Sequence, residues 1–260
     1  MSVKRSQFII FLYVKKVVYS EILVYKMFLL NFKFEVGGKM YVMAFDTTAA
    51  ACSILLKKDD VNLACFSKFM DFGQAEVLIP ELQKILKANN LSFGDIGLLL
   101  VCVGPGSFTG VRSSVSAART FQLASPDLKL GGISAFEAYT LGLSEDERAE
   151  INAVLIETKR DDFYVQLFDN ALHKITSPQA MNYDDIVSLL RGHKVSLIGD
   201  GVERFLNRPS NLSLHCIKIL DTLDIEWVAQ KGLQYFYDKT LNYPKPMYLR
   251  APDVSLPKNC

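Results

Sequence analysis

The sequence is poor in residues that bind metals. It has three histidines, at positions 173, 193 and 215, and no two stand four residues apart, the spacing that puts a ligand pair on one helix face. Its five cysteines (52, 65, 102, 216 and 260) include no Cys-x-x-Cys pair. Donor supply thus argues against a zinc- or iron-dependent hydrolase, and the odd, scattered thiols read as buried or incidental cysteines of a reducing compartment. A Gly-x-Ser-x-Gly elbow is missing, and no Cys/His pairing stands out for nucleophilic catalysis. Missing too is a basic stripe. The formal net charge is +1, but residues 1–39 hold seven Lys/Arg against two acids, which leaves 22 bases against 26 acids for the rest. A chain that gripped RNA or DNA through its own phosphate contacts would cluster its bases. Finally, "FIIFLYV" (8–14) and "ILVYKMFLLNF" (22–32) are interrupted by Lys15, Lys16, Glu21 and Lys26, so neither reaches the roughly 20 apolar residues of a membrane span. No small-residue cleavage pattern makes them a signal peptide. Gly37-Gly38 precedes Met40, where a clean strand pattern begins. Residues 1–39 are therefore expected to be an extension upstream of a natural start at Met40, with an amphipathic appendage as the competing reading.

What is present is half hydrophobic over 260 residues, enough for one large core or two smaller ones. From Met40 the pattern is α/β. "MYVMAFD" (40–46), "ACSILLKK" (51–58) and "VNLACFSKF" (61–69) are joined by short turns and predict an antiparallel meander. Residues 74–90 place Leu78, Leu82, Ile85 and Leu86 on one helical face, widened by Val77 and Ile79, with Pro80 bending the helix or lying in its early turns. An apolar strand at 97–103, a helix at 109–123, a strand at 129–134 and a further helix imply parallel pairing beyond the meander. The hydrophilic "SEDERAE" (144–150) marks a boundary, after which strands, helix, strand and helix recur. The expected organisation is a first lobe over 40–147 and a second over 148–260, with a cleft between them as the usual place for a ligand.

Two short stretches carry the functional question. "GPGSFTGVR" (104–112) sits where a glycine-rich turn could cradle phosphate. A P-loop needs a Lys after its last glycine, and here Val111-Arg112 follow Gly110. A Rossmann turn needs its third glycine at Thr109, one place early. The structural reading has its own mechanism. Pro105 fixes a backbone angle, Gly104, Gly106 and Gly110 permit conformations closed to other residues, and Ser107 or Thr109 caps the following helix. That helix repeats Gly110, Ser113, Ser114, Ala117 and Ala118, small residues that allow close approach inside the fold or across a subunit interface. A helix N-terminus can still hold an anion through its free amides, so the phosphate reading stays open. The second stretch, "AFDTTAAA" (44–51), puts Asp46, Thr47 and Thr48 at a hairpin tip. In phosphotransfer enzymes of the actin and sugar-kinase type that tip carries Asp-x-Gly-Thr, and here Thr47-Thr48 replaces the glycine position. A self-satisfied turn and a ligand contact are both compatible with it. "ETKRDDFYV" (157–165) reads as a solvated hairpin tip that borders the cleft.

Taken together, "MAFDTT", "GQAEVLIPELQKIL", "VGPGSFTGVRSSVSAART", "GISAFEA" and "PMYLRAPDVSLPK" strongly resemble the TsaB family, the dimerisation subunits of the bacterial tRNA threonylcarbamoyladenosine synthase. The resemblance runs from Met40 to about Lys258. It implies an α/β fold of two tandem lobes of the actin and sugar-kinase (ASKHA) type, mixed sheets flanked by helices, that has lost catalysis. It implies a cytoplasmic protein that heterodimerises with the paralogue TsaD. TsaD carries the metal site and transfers the threonylcarbamoyl group to adenosine 37 of tRNA, and the ATPase TsaE joins the pair. ATP and the metal ion then belong to the partners, with no cofactor, metal or catalytic residue expected in this chain. In the family the two helices of the first lobe form the pairing surface. Carried over, that surface is Val77, Leu78, Leu82 and Ile85 with Val111, Ser114, Val115 and Ala118, framed by Arg112 and Arg119, and the same helices offer a route to a homodimer. The chain has Gln74-Ala75-Glu76 where many relatives have His-Ser-Glu. A residual ATP-binding enzyme and a metallopeptidase-like protein remain as rival readings, the latter weakened by the missing histidine pair.

Overall fold

The computed structural model describes residues 40–70 and 72–250; the extension expected over 1–39 and the end of the family-like tail lie outside the described residues. Among the described residues ten strands form two five-stranded sheets. In the first, β1 (Tyr41–Asp46), β2 (Ala51–Lys58) and β3 (Val61–Phe69) make the expected antiparallel meander, and β4 (Ile96–Cys102) and β5 (Lys129–Ile133) add in parallel on the other side of β1. In the second, β6 (Ile151–Glu157), β7 (Asp162–Phe168) and β8 (Gln179–Asn182) are antiparallel, and β9 (Lys194–Gly199) and β10 (Ser213–Ile219) add in parallel beside β6. The orders β3-β2-β1-β4-β5 and β8-β7-β6-β9-β10 are the same order met twice. Helices also recur in step: α1 (Gln74–Ala88), α2 (Phe108–Ala124) and α3 (Ala135–Thr140) in the first half, α4 (Tyr183–Leu190), α5 (Val202–Leu206) and α6 (Ile225–Tyr237) in the second. Two tandem mixed sheets flanked by helices are the arrangement that the sequence patterning predicts.

Alternation along the central strands explains the layering. Met43 and Phe45 of β1 turn to one face, where they join Leu99 and Val101 of β4 under Leu78, Leu82 and Ile85 of α1 and Val115 and Ala118 of α2. Val42 and Ala44 turn to the other face and meet Leu98 and Leu100, together with Ile225, Val228 and Ala229 of α6. Both faces of β1 and β4 are covered, which is why these strands read as nearly continuous apolar runs. On the outer face of the second sheet, Leu155, Val165 and Leu197 lie under Ile186 and Leu190 of α4 and Phe205 of α5.

Residues 40–147 supply every strand of the first sheet and residues 148–250 every strand of the second, but the closing helices cross over. Helix α3 packs on β6 and β9 of the second sheet, and α6 packs on β1, β2, β4 and β5 of the first. Gly232 makes the second crossing possible, since a Cβ there would press into the Leu100 side chain. Lys57, buried on β2, pairs with Glu226 at 2.5 Å and anchors the start of α6. Beyond α6 the chain doubles back along the first half. Asn242 O accepts from Gly132 N, Met247 N donates to Val103 O, and Arg119 Nη2 donates to Pro244 O.

Candidate functional site

The tip between β1 and β2 is held from below by the turn between β4 and α2. Gly104 has φ of +96° and its peptide bond to Pro105 is cis. Gly106 and Gly110 lie so close to the tip that a Cβ on either would collide with the carbonyl of Thr48 or of Thr47 respectively. Ser107 N donates to Thr48 O at 2.8 Å, and Ser107 is the N-cap of α2, its Oγ accepting from Gly110 N. Thr109 is the second residue of the helix and is not the cap. From the helix side, Ser114 Oγ accepts from Thr47 N at 3.2 Å and lies 2.8 Å from Thr47 Oγ1, which also donates to Gly110 O. Thr48 N donates to Asp46 Oδ1 at 2.7 Å. The hairpin tip is therefore satisfied by its own chain. Asp46 is buried, and burial raises its pKa against the opposing effect of the Thr48 contacts.

The tip between β6 and β7 repeats the geometry with different chemistry. Gly199 has φ of +132° and passes against the Leu155 carbonyl, where a Cβ would not fit. Glu157 N donates to Asp200 Oδ1 at 2.9 Å, Gly201 N to Leu155 O, and Lys159 N to Glu157 Oε1 at 2.5 Å. Glu157 also holds Arg204 at 2.6 Å, and Arg204 lies 3.7 Å from the centre of the Phe163 ring. Burial, assisted by the charges of Glu157 and Asp46, pushes the Asp200 carboxyl up to about 7. The Tyr139 hydroxyl, buried beside Asp200, makes no hydrogen bond among the described residues. Its ionisation is pushed well up by burial and by the carboxylates of Asp200 and Asp46.

Between the tips lies a cavity of about 550 Å³. Thr48, Gly106, Tyr139 and Asp200 line it, Ile156, Leu223 and Met247 contribute apolar wall, and Phe108, Tyr164 and Tyr248 give aromatic surface. The "ETKRDDFYV" tip borders it through Glu157 to Arg160. Among the described residues no cluster of three His, Cys, Asp or Glu side chains is placed to hold a metal ion.

The residues carried over as a pairing surface separate into two groups. Leu78, Leu82, Ile85, Val111, Ser114, Val115 and Ala118 are buried within the chain itself. A partner cannot reach them, because the stripe that periodicity detects on α1 and α2 is the one that covers the first sheet. Ser114 in particular docks the Thr47 tip. Val77 is half-buried and packs on the same core. Arg119 is committed to the tail, through Pro244 O and the Tyr243 ring. Only Arg112 is freely exposed, with its guanidinium over Phe108. The outward faces are instead Ala75, Ile79 and Gln83 on α1, and Ser116, Thr120 and Leu123 on α2.

Residues 74–216 match the family model of TsaD, tRNA N6-adenosine threonylcarbamoyltransferase. The Escherichia coli K12 tRNA threonylcarbamoyladenosine biosynthesis protein TsaB is 30% identical over 222 residues, which cover 81% of this chain and 95% of that protein. The chain belongs to the TsaB family. The Bacillus subtilis 168 TsaB is 24% identical over 179 residues, 64% of this chain and 77% of its own. Two solved Pseudomonas aeruginosa structures share the fold: a protein with similarity to peptidase YEAZ, at 17% identity and a TM-score of 0.67, and YeaZ, at 18% and 0.64. Each alignment covers 81% of this chain and 100% of the other. No helix among the described residues is long and apolar enough to cross a membrane. Sequence reasoning found the glycine-rich turn at 104–110 and the Asp46 tip. It did not single out Tyr139 or Asp200, since no motif surrounds the first and the second sits in a short turn after a strand.

Proposed function

We propose that this TsaB-family chain acts in the biosynthesis of threonylcarbamoyladenosine at position 37 of cytoplasmic tRNA as a non-catalytic subunit that pairs with a TsaD-type catalytic subunit. The reading rests on the self-satisfied hairpin tips. A phosphotransfer site needs unoccupied backbone amides to receive phosphate, whereas here Thr47 N and Thr48 N are taken by Ser114 and Asp46, and Glu157 N and Lys159 N by Asp200 and Glu157. The added carboxylates repel phosphate. ATP and metal chemistry then reside in TsaD and TsaE, which joins the pair, and tRNA is the substrate of the assembly.

The pairing surface is the outward face of α1 and α2, where Ile79 and Leu123 give apolar contact and Ser116 and Thr120 permit close approach. The same face serves a homodimer when the chain is alone. Purified TsaD should modify tRNA only with this chain added, and the chain alone should show no turnover. Ile79→Asp and Ser116→Arg should weaken TsaD binding by at least about thirtyfold, the size of a central hot-spot loss, with an unchanged melting temperature. Tight binding retained by both variants would overturn the surface, and modification by TsaD without this chain would overturn the role.

A further inference from the structure

The "ETKRDDFYV" turn and the segment after α5 line a second cavity, of about 630 Å³, in the second half of the molecule. Four cations border it, Lys159, Arg160, Arg204 and Arg208, against two acids, Glu157 and Asp161. Glu157 is already committed, its Oε2 to Arg204 Nε at 2.6 Å and its Oε1 to Lys159 N. Two of the arginines are set on rings: Arg204 lies 3.7 Å from the centre of Phe163 and Arg208 5.2 Å from that of Tyr183, and both rings pack on Phe205. The Tyr183 hydroxyl donates to Arg208 O and Pro209 O, which fixes the segment that carries Arg208. Arg208 is exposed and forms no salt bridge among the described residues. A guanidinium laid on an aromatic face keeps its edge N–H groups for a phosphate. Phe163 and Tyr183 are themselves buried, so neither is left to stack on a base. The recess thus offers charge and hydrogen-bond donors alone, the means by which a protein holds nucleic-acid phosphates without reading sequence. Lys159, Arg160 and Arg208 stand exposed on two separate segments, which suits successive phosphates of a chain better than one enclosed ion. With no basic stripe elsewhere, the contact is local and adds to those of a partner.

We propose that this cluster holds the sugar–phosphate backbone of the RNA substrate, as a sequence-independent contact that supplements those of the catalytic subunit. The inference rests on the pairing reading above. Its test measures the binding of fluorescently labelled tRNA to the purified pair of this chain and TsaD over a range of salt concentrations, with pairing followed separately by size-exclusion chromatography. Arg160→Ala and Arg208→Ala should each weaken tRNA about three- to tenfold at low salt. Each should also lower the slope of log affinity against log salt by about one, while pairing and melting temperature stay at the parent's values. Arg208→Lys should keep the parent slope, and an RNA of the same length and unrelated sequence should lose as much affinity to the alanine variants as tRNA does. Lys194→Ala, which removes a cation where β9 begins, at the far end of the second sheet from the tip, should change neither affinity nor slope. A double alanine variant that still pairs with TsaD and keeps the parent affinity and slope would overturn the inference alone, as would an equal loss in Lys194→Ala. A parent chain that does not pair with TsaD would overturn the pairing reading and this inference with it.

Discussion

The two halves of the molecule run the same strand order and hold their hairpin tips differently. In the first, neutral groups hold the tip, the Ser114 hydroxyl on Thr47 and Ser107 N on Thr48 O, with Asp46 buried beside them. In the second, Asp200 and Glu157 take the tip amides, and a guanidinium from Arg204 offsets the charge. The outer helices differ as well: 15 and 17 residues for α1 and α2, 8 and 5 for α4 and α5. The longer pair gives the first half an extended outward face, while the second half keeps its acids near the cleft. One strand order thus carries long outer helices beside a neutral tip in the first half and short ones beside a charged tip in the second.

Substitutions can break this contrast. The largest effect should come from Gly110→Val, which forces a side chain into the Thr47 carbonyl and separates α2 from its tip; a loss of more than about 3 kcal/mol in urea unfolding is expected. Ser114→Ala is next. It leaves the buried Thr47 N–H unpaired and should cost about 1–3 kcal/mol, read as a lower urea midpoint with an unchanged slope. The smallest change, and the one that sharpens the charge side of the comparison, is Asp200→Asn. The folded Asp200 titrates near 7, above an unfolded carboxyl near 4, so the folded chain binds the extra proton between those values and stability falls as pH rises through that window. The variant should match the parent near pH 5, where the parent carboxyl is mostly protonated. It should be the more stable of the two at pH 8, with a flatter profile between. A profile as steep as the parent's would show that Asp200 is not the group responsible.

Most of the fold was legible because most elements are long enough to show a period. The meander from Tyr41 to Phe69, the helices beginning at Gln74, Phe108 and Ile225, and the apolar strand ending at Cys102 all stand where patterning puts them. Strand β8 and helix α5 escaped notice, since four residues show hardly more than one alternation and five residues little more than one turn. Strand β10 was missed for another reason. Ile217 and Ile219 are apolar but exposed on an edge strand, while Leu214, Cys216 and Lys218 are half-buried, so hydrophobicity follows the wrong parity. The site was half legible. The glycine turns announce themselves by composition, but an apolar stripe on a helix looks the same whether it covers a sheet or a partner. Leu82 and Val115 cover the sheet. Ser114 looked like a small packing residue and is a hydrogen-bond acceptor for Thr47.

The exchange of α3 and α6 bears on how the chain is made. During synthesis the first sheet emerges with α1 and α2 available for one face, but the cover for the other, α6, begins only at Ile225. Leu98, Leu100 and Val42 then keep their side chains bare until nearly the whole chain has left the ribosome, the kind of exposed apolar surface that makes folding intermediates prone to aggregate. A gene cut between the halves would yield two fragments, each lacking the helix that seals it.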